Sequence, residues 1–216
     1  MSTGTELAVT IERLQNAVDE AGRAFGEDQA PTLSAMLDLA DALWAQGRLI
    51  AARRLEERVV AARHRVLGDD HRDTLKAVGK LAVTMAAQGE LAEARRLQEG
   101  IVAALRAIEG DVSRDTLRAI NNLAGTIAAQ GDFVAARELL QSALSPLLAK
   151  HGETHPDTLA AMGNLASILW REGERDEAYE LQRQVVGLYR RIDGEADPAA
   201  QVAAAVLESM EHDTSF

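Results

Sequence analysis

The chain has 216 residues, no cysteine, 3% aromatic residues and a formal net charge of −11. Without cysteine there are neither disulfides nor thiolate metal sites, and the acidic balance opposes non-specific binding to nucleic acid or docking on an anionic membrane. No run approaches the roughly 18 apolar residues of a spanning helix.

Residues Met1 to Gln15 hold no basic segment followed by an apolar run, so no secretory signal is read there and the cytoplasm is the simplest location. Residues 5–25 read as a helix. From residue 26 the chain repeats itself: Pro31-Thr32-Leu33 returns as Asp73-Thr74-Leu75, Asp115-Thr116-Leu117 and Asp157-Thr158-Leu159, each step being 42 residues. Gly26, Gly68, Gly110, Gly152 and Gly194 keep that step, and so do Gly47, Gly89, Gly131 and Gly173. Such phase-locked similarity marks a repeat array in which each unit buries its apolar face against its neighbours. A closed core with a catalytic pocket is therefore not the first expectation, and an extended binding surface is.

The expected division is a capping helix over 1–25, repeats over 26–67, 68–109, 110–151 and 152–193, and a closing helix with a tail over 194–216. In residues 68–109, a helix from about Arg72 to Ala87 follows a polar turn. His71 takes its N-cap, and Ser113, His155 and Asp197 hold the matching place. Pro156 and Pro198 fall at the first helical position, and Asp73, Asp115 and Asp157 complement the positive helix end. Gln88-Gly89 ends the helix, and a second runs from about Glu90 to Ile108, with Ala94, Leu97, Ile101, Ala104 and Ile108 at three-and-four spacing. Short turns make each unit an antiparallel helix hairpin. In the third repeat, Pro146 lies inside the second helix and is expected to bend it.

At the end of the chain, residues 198–212 align with a first helix, and Glu208, Glu211 and Asp213 shield the stack. Thr214-Ser215-Phe216 is expected to be disordered. Charge is uneven. Residues 1–50 carry 3 basic and 8 acidic side chains, 51–108 carry 11 and 8, and 109–216 carry 9 and 18. The basic middle, with Arg53, Arg54, Arg58, Arg63, Arg65, Arg95 and Arg96, reads as a solvated helix face or as a strip for an anionic partner.

Repeat length alone admits HEAT-type units of about 40–47 residues, but the internal pattern decides. Eight positions before each turn glycine stand Leu39, Leu81, Leu123 and Leu165, each followed by alanine; after the glycine come Ala52, Ala94, Ala136 and Ala178, then Leu55, Leu97, Leu139 and Leu181. This resembles the tetratricopeptide repeat (TPR). The strings Leu67–Leu75, His155–Leu159 and Asn121–Ala124 look like its 42-residue kinesin light chain subtype. The resemblance implies an all-α fold, a right-handed superhelical solenoid of helix hairpins.

It also implies a site. In TPR arrays the first helix of each hairpin lines the concave side, which points to Leu37, Asp41 and Trp44; Lys76, Gly79, Lys80 and Val83; Arg118, Asn121, Asn122 and Gly125; and Asn164, Ser167 and Trp170. The family uses an asparagine before its Leu-Ala pair to bond a peptide backbone; Asn122 and Asn164 match it, while Asp38 and Lys80 replace it earlier. The glycines Gly79, Gly125 and Gly163 sit inside helices at a cost of about 1 kcal/mol each against alanine, for close helix packing or for the approach of a ligand.

His151 and His155 with Asp157 have ligand-like spacing, but His71 repeats the loop position, which favours a cap over a metal site. No phosphate loop, nucleophile elbow or His-Glu-x-x-His motif is present. The expectation is a non-enzymatic scaffold or adaptor without cofactor or metal, its groove holding a peptide segment of another protein. The alternatives are a regulatory subunit forming a homodimer through its convex helices, and a small-molecule or enzymatic site in the glycine-lined floor.

Overall fold

A computed structural model describes residues 3–193 and 197–213. Gly194 and the tail 214–216 lie outside them. The described residues form ten helices and no strand. These are α1 (Thr3–Phe25), α2 (Ala30–Ala45), α3 (Leu49–Leu67), α4 (Arg72–Ala87) and α5 (Leu91–Glu109). Then come α6 (Arg114–Ala129), α7 (Phe133–His151), α8 (Pro156–Glu172), α9 (Arg175–Asp193) and α10 (Pro198–Asp213). The chain divides into two compact units, Met1–Ala104 and Leu105–Phe216.

In the first unit α2 packs on α1 and α3, and α3 packs on α4. Its core gathers Val18 of α1, Leu33, Met36, Leu37, Leu39, Ala40 and Leu43 of α2, and Ala52, Val59 and Ala62 of α3. In the second unit α6 to α10 pack in sequence, and α6 also touches α8. Leu159 and Met162 of α8, Val185, Val186, Leu188 and Tyr189 of α9, and Ala200 and Ala203 of α10 form one cluster there. Small alanines at these crossings let helices approach closely in a chain with few aromatic fillers.

Local chemistry explains where the helices begin. The imidazole Nδ1 of His71 accepts the Asp73 N–H at 3.1 Å, and that of His155 accepts the Asp157 N–H at 3.2 Å. Ser113 Oγ accepts from Thr116 N–H at 3.0 Å, and Asp197 Oδ1 from the Ala199 and Ala200 N–H groups at 2.8 and 3.0 Å. Three side-chain types thus satisfy the same orphan donors. His155→Ala is expected to cost about 1 kcal/mol, with His155→Asp restoring the loss. Thermal denaturation of the two variants checks this, and equal melting of wild type and His155→Ala would refute the capping role.

The Thr-Leu pair of the repeated triplet has a second task. Thr32, Thr74, Thr116 and Thr158 are 0–1% exposed. Thr32 donates its hydroxyl to the Gly26 carbonyl at 2.7 Å and Thr116 to the Gly110 carbonyl at 2.9 Å. The helix is thereby tied back to the turn that precedes it. At the other end of the hairpin, Gly173 takes φ 104° and ψ −1° as the C-cap of α8, a left-handed conformation that a Cβ would oppose.

The basic middle is largely absorbed by neighbouring turns. Arg58 donates to Glu27 at 2.8 Å, Arg65 to Asp28 at 3.0 Å, and Arg53 to Gln88 and Glu90 at 2.9 and 2.6 Å. Arg63 is 9% exposed and donates to the Asp73 carbonyl at 2.7 Å, beside the first turn of α4. These arginines of α3 hold the loops before α2 and on either side of α4, which a solvated face would not do.

α7 runs through Pro146 without ending there, and Ser142 one turn earlier donates its hydroxyl to the Leu139 carbonyl at 2.7 Å. On α10 the side that would meet a following helix is polar. Gln201, Glu208 and Glu211 stand where α8 has Leu159, Ala166 and Leu169, residues that are at most 1% exposed. Glu211 accepts the Tyr179 hydroxyl at 2.7 Å. No helix among the described residues is long and apolar enough to cross a membrane.

Candidate functional site

The first helices α2 and α4 present one face in the first unit. Asp41 is exposed on α2, and Lys80 of α4 reaches both its carboxylate oxygens at 2.5 and 2.6 Å. The two groove charges therefore neutralise one another. Trp44, one turn on from Asp41, is 43% exposed. Lys76, Gly79 and Val83 are half-buried on α4. Leu37 departs from the expectation. At 8% exposure it belongs to the core of this unit, because the α2 turn it occupies faces α1 and α3 as well as the open side.

In the second unit the faces of α6 and α8 lie side by side. Arg118, Gly125 and Ser167 are exposed, while Asn121, Asn122, Asn164 and Trp170 are half-buried. Among the described residues the amides of Asn122 and Asn164 have no partner in the chain. Arg118 bonds Asp115 at 3.4 Å and Arg114 lies 3.5 Å from Asp157. Between these pairs is a cleft of about 150 Å³ whose lining includes Asn121, Leu140, Ala143 and Ala160. Trp170 is less free than Trp44, since the Arg175 guanidinium sits 4.4 Å from its ring centroid. A cation over an indole face is stabilised by the ring quadrupole.

The groove glycines are not held by crowding. A Cβ at Gly125 would meet nothing within 4 Å, and at Gly79 and Gly163 it would meet its nearest neighbour at 3.9 and 3.8 Å, an ordinary contact. Close helix packing does not require them.

A register of the second helices that the sequence reading passed over supplies the floor. Glu56, Gln98, Leu140 and Gln182 stand 42 residues apart, each one position after the repeated leucine. All four are only 2% exposed. Glu56 accepts the Thr84 hydroxyl at 3.0 Å, but its other oxygen has no partner. Gln182 donates to the Ala203 carbonyl at 2.8 Å, and its oxygen has none. Both amide atoms of Gln98 are unpartnered. The step was visible in the sequence, but isolated polar residues on amphipathic helices read as surface.

Burial holds the Glu56 carboxyl above the usual carboxylate range, opposed by the Thr84 hydroxyl and the charge of Lys80. An acid raised in the folded state keeps its proton after the unfolded chain has lost its own, so stability falls as pH rises through that window. Glu56→Gln, which copies Gln98 and Gln182, is expected to stabilise the protein by about 1–3 kcal/mol at neutral pH, the cost of an unsatisfied buried group. The gain vanishes in acid, where both forms are neutral. Urea titrations at the two pH values check it, and a pH-independent difference would refute the argument.

The histidines are spent elsewhere. His151 and His155 stack with centroids 4.3 Å apart, and His71 and His155 cap helices. No group of three His, Asp or Glu among the described residues is placed to hold a metal ion.

Comparison with known proteins agrees with this geometry. The family pattern described as Tetratricopeptide repeat matches residues 32–73, 74–115 and 115–191. No curated protein matches the chain in sequence. Among solved structures, the kinesin light chain nearly identical TPR-like repeats of Podosopora anserina are 27% identical, with 87% of this chain and 89% of that one covered and a TM-score of 0.74. BtubC (BKLC) from P. vanneervenii shares the fold at 16% identity over 97% and 93% of the two chains, TM-score 0.73. Rap protein complexed with competence and sporulation factor does so at 13% identity over 96% and 61%, TM-score 0.69. With the repeat running from residue 32 to residue 191 and every described helix in phase with it, the chain belongs to the tetratricopeptide repeat family, in its kinesin light chain-like form.

Proposed function

We propose that this protein is a cytoplasmic adaptor whose first-helix faces clamp a peptide segment of a partner protein, with the repeats divided at residues 26, 68, 110, 152 and 194. The observation that carries the reading is the pair of half-buried, unengaged amides of Asn122 and Asn164. They stand at one register on adjacent first helices, beside exposed Ser167 and Gly125. An amide offers both a donor and an acceptor, which is what the alternating groups of an extended main chain require. In the first unit, Trp44 and the Asp41–Lys80 pair offer a recognition surface of their own, an exposed indole being a common interface anchor. A Rap protein of the same fold is known complexed with competence and sporulation factor, which supports ligand capture by such arrays.

The test is enrichment of displayed random peptides on the wild-type chain, followed by affinity measurements. Asn122→Ala and Asn164→Ala are each expected to weaken the enriched peptides about three- to tenfold, the worth of a hydrogen bond. Trp44→Ala weakens them further with little change in melting, whereas His71→Ala and His155→Ala lower melting and leave affinity intact. The opposite pattern overturns the groove reading. Light scattering at increasing concentration separates this adaptor from a chain that assembles with itself.

A further inference from the structure

The glycines of the groove and the buried glutamines of the floor occur together. Gly163 stands above Gln182, 19 residues on, and Gly79 and Gln98 have the same 19-residue spacing. Where the groove residue is Leu37 the floor holds Glu56, and where it is Asn121 the floor holds Leu140. At this register glycine is thus paired only with a glutamine, although neither glycine is needed to avoid a clash.

In the second unit the geometry is explicit. The Ala203 carbonyl can only accept, so the amide nitrogen of Gln182 must face it, at 2.8 Å. That fixes the rotamer and sends Oε1 the other way. Oε1 has no partner, and it lies 3.8 Å from where a Cβ of Gly163 would stand. A buried acceptor left unmade is costly, and native proteins rarely keep one without a use. A side chain at 163 would touch this oxygen, on the helix whose face carries the exposed Ala160 and Ser167.

We infer that Gln182 is a recognition residue: its Oε1 accepts a main-chain N–H of the bound segment laid across the bare backbone at Gly163. The inference rests on the peptide-groove reading and deepens it, adding a backbone-reading group from the second helix to the asparagines of the first. The vacant group is an acceptor, so the ligand must present a donor. A main-chain N–H is the donor that can approach over glycine with no side chain in the way. Gln98 has the same sequence relation to Gly79 in the first unit.

Two variants remove the contact without harming the fold. Gly163→Ala covers the oxygen and favours the helix, and Gln182→Leu copies Leu140 at the same register. Gly163→Ala is expected to raise the melting temperature by about 2–4 °C, whereas Gln182→Leu gives up the bond to Ala203 together with the unmet acceptor and is expected to leave a folded chain. Both are expected to weaken a peptide enriched on the wild-type chain about tenfold, the worth of one well-shielded hydrogen bond. Gly187→Ala is the control: a Cβ there meets nothing within 4 Å, and it should raise melting with affinity unchanged. A scan of single N-methyl groups along the same peptide should find one position that weakens binding to wild type and has no effect on Gln182→Leu. If both variants bind as wild type does, or if no N-methyl position depends on Gln182, a trapped water satisfies the oxygen and the inference is overturned while the asparagine groove stands. If no peptide is enriched at all, the groove reading falls and takes this inference with it.

Discussion

Leu169→Ala is expected to destabilise the protein by about 2–5 kcal/mol. Leu169 is 0% exposed on α8, and its carbonyl accepts the N–H groups of Gly173 and Glu174 at 3.1 and 3.0 Å. The side chain therefore sits where the end of α8 turns toward α9. Truncation removes its buried methyl groups and leaves a hole that two flanking helices cannot both close. The spread of the estimate reflects how far the site can collapse. In an array each unit is stabilised by its neighbours, so the loss propagates to α9 and α10 more than a core mutation in a closed domain would. Hydrogen exchange should show those two helices losing protection first. A loss below about 1 kcal/mol would mean that the hairpin is not packed as described.

Pro146→Ala is expected to act in the opposite sense, stabilising by up to about 3 kcal/mol. A helix-interior proline forgoes one backbone hydrogen bond and crowds the carbonyl four residues back, here that of Ser142. Pro146 itself is half-buried, and the next residue, Leu147, is 0% exposed. The ring is therefore not the main packing element of its turn. Alanine restores the missing N–H and keeps the helix. Urea unfolding reads the difference directly. A destabilised variant would show that the contacts of the ring with its surroundings outweigh the lost backbone hydrogen bond.

The fold was legible because the repeat states each structural instruction several times over. A lone Asp-Thr-Leu triplet means little; four copies in phase with turn glycines define where helices start and stop. Burial at single positions was less legible. Leu37 shares a register with Gly79, Asn121 and Gly163, so the pattern places all four on one face, yet its size draws it into the core of the first unit. The role of the arginines on α3 was also hidden. Arg58 meets Glu27 and Arg65 meets Asp28 across 31 and 37 residues. Those separations follow from how a hairpin stacks on the previous helix, not from any spacing within one helix. The floor register failed for another reason. Glu56 sits among five arginines and a second glutamate on α3, and only packing reveals that it and Arg63 are the charged residues turned inward.

The polar side of α10 decides what the array can do at high concentration. An exposed first-helix face of the α8 type would be complementary to any second helix, including one at the far end of another copy. A contact between unlike surfaces does not close on itself, so it would thread molecules into filaments. In the polymer chemist's terms, Gln201, Glu208 and Glu211 leave this side of α10 without a reactive group for such a link. Substituting them with the leucine, alanine and leucine of α8 would give that side the apolar surface a fibre's repeating link needs, at the loss of the Tyr179–Glu211 bond.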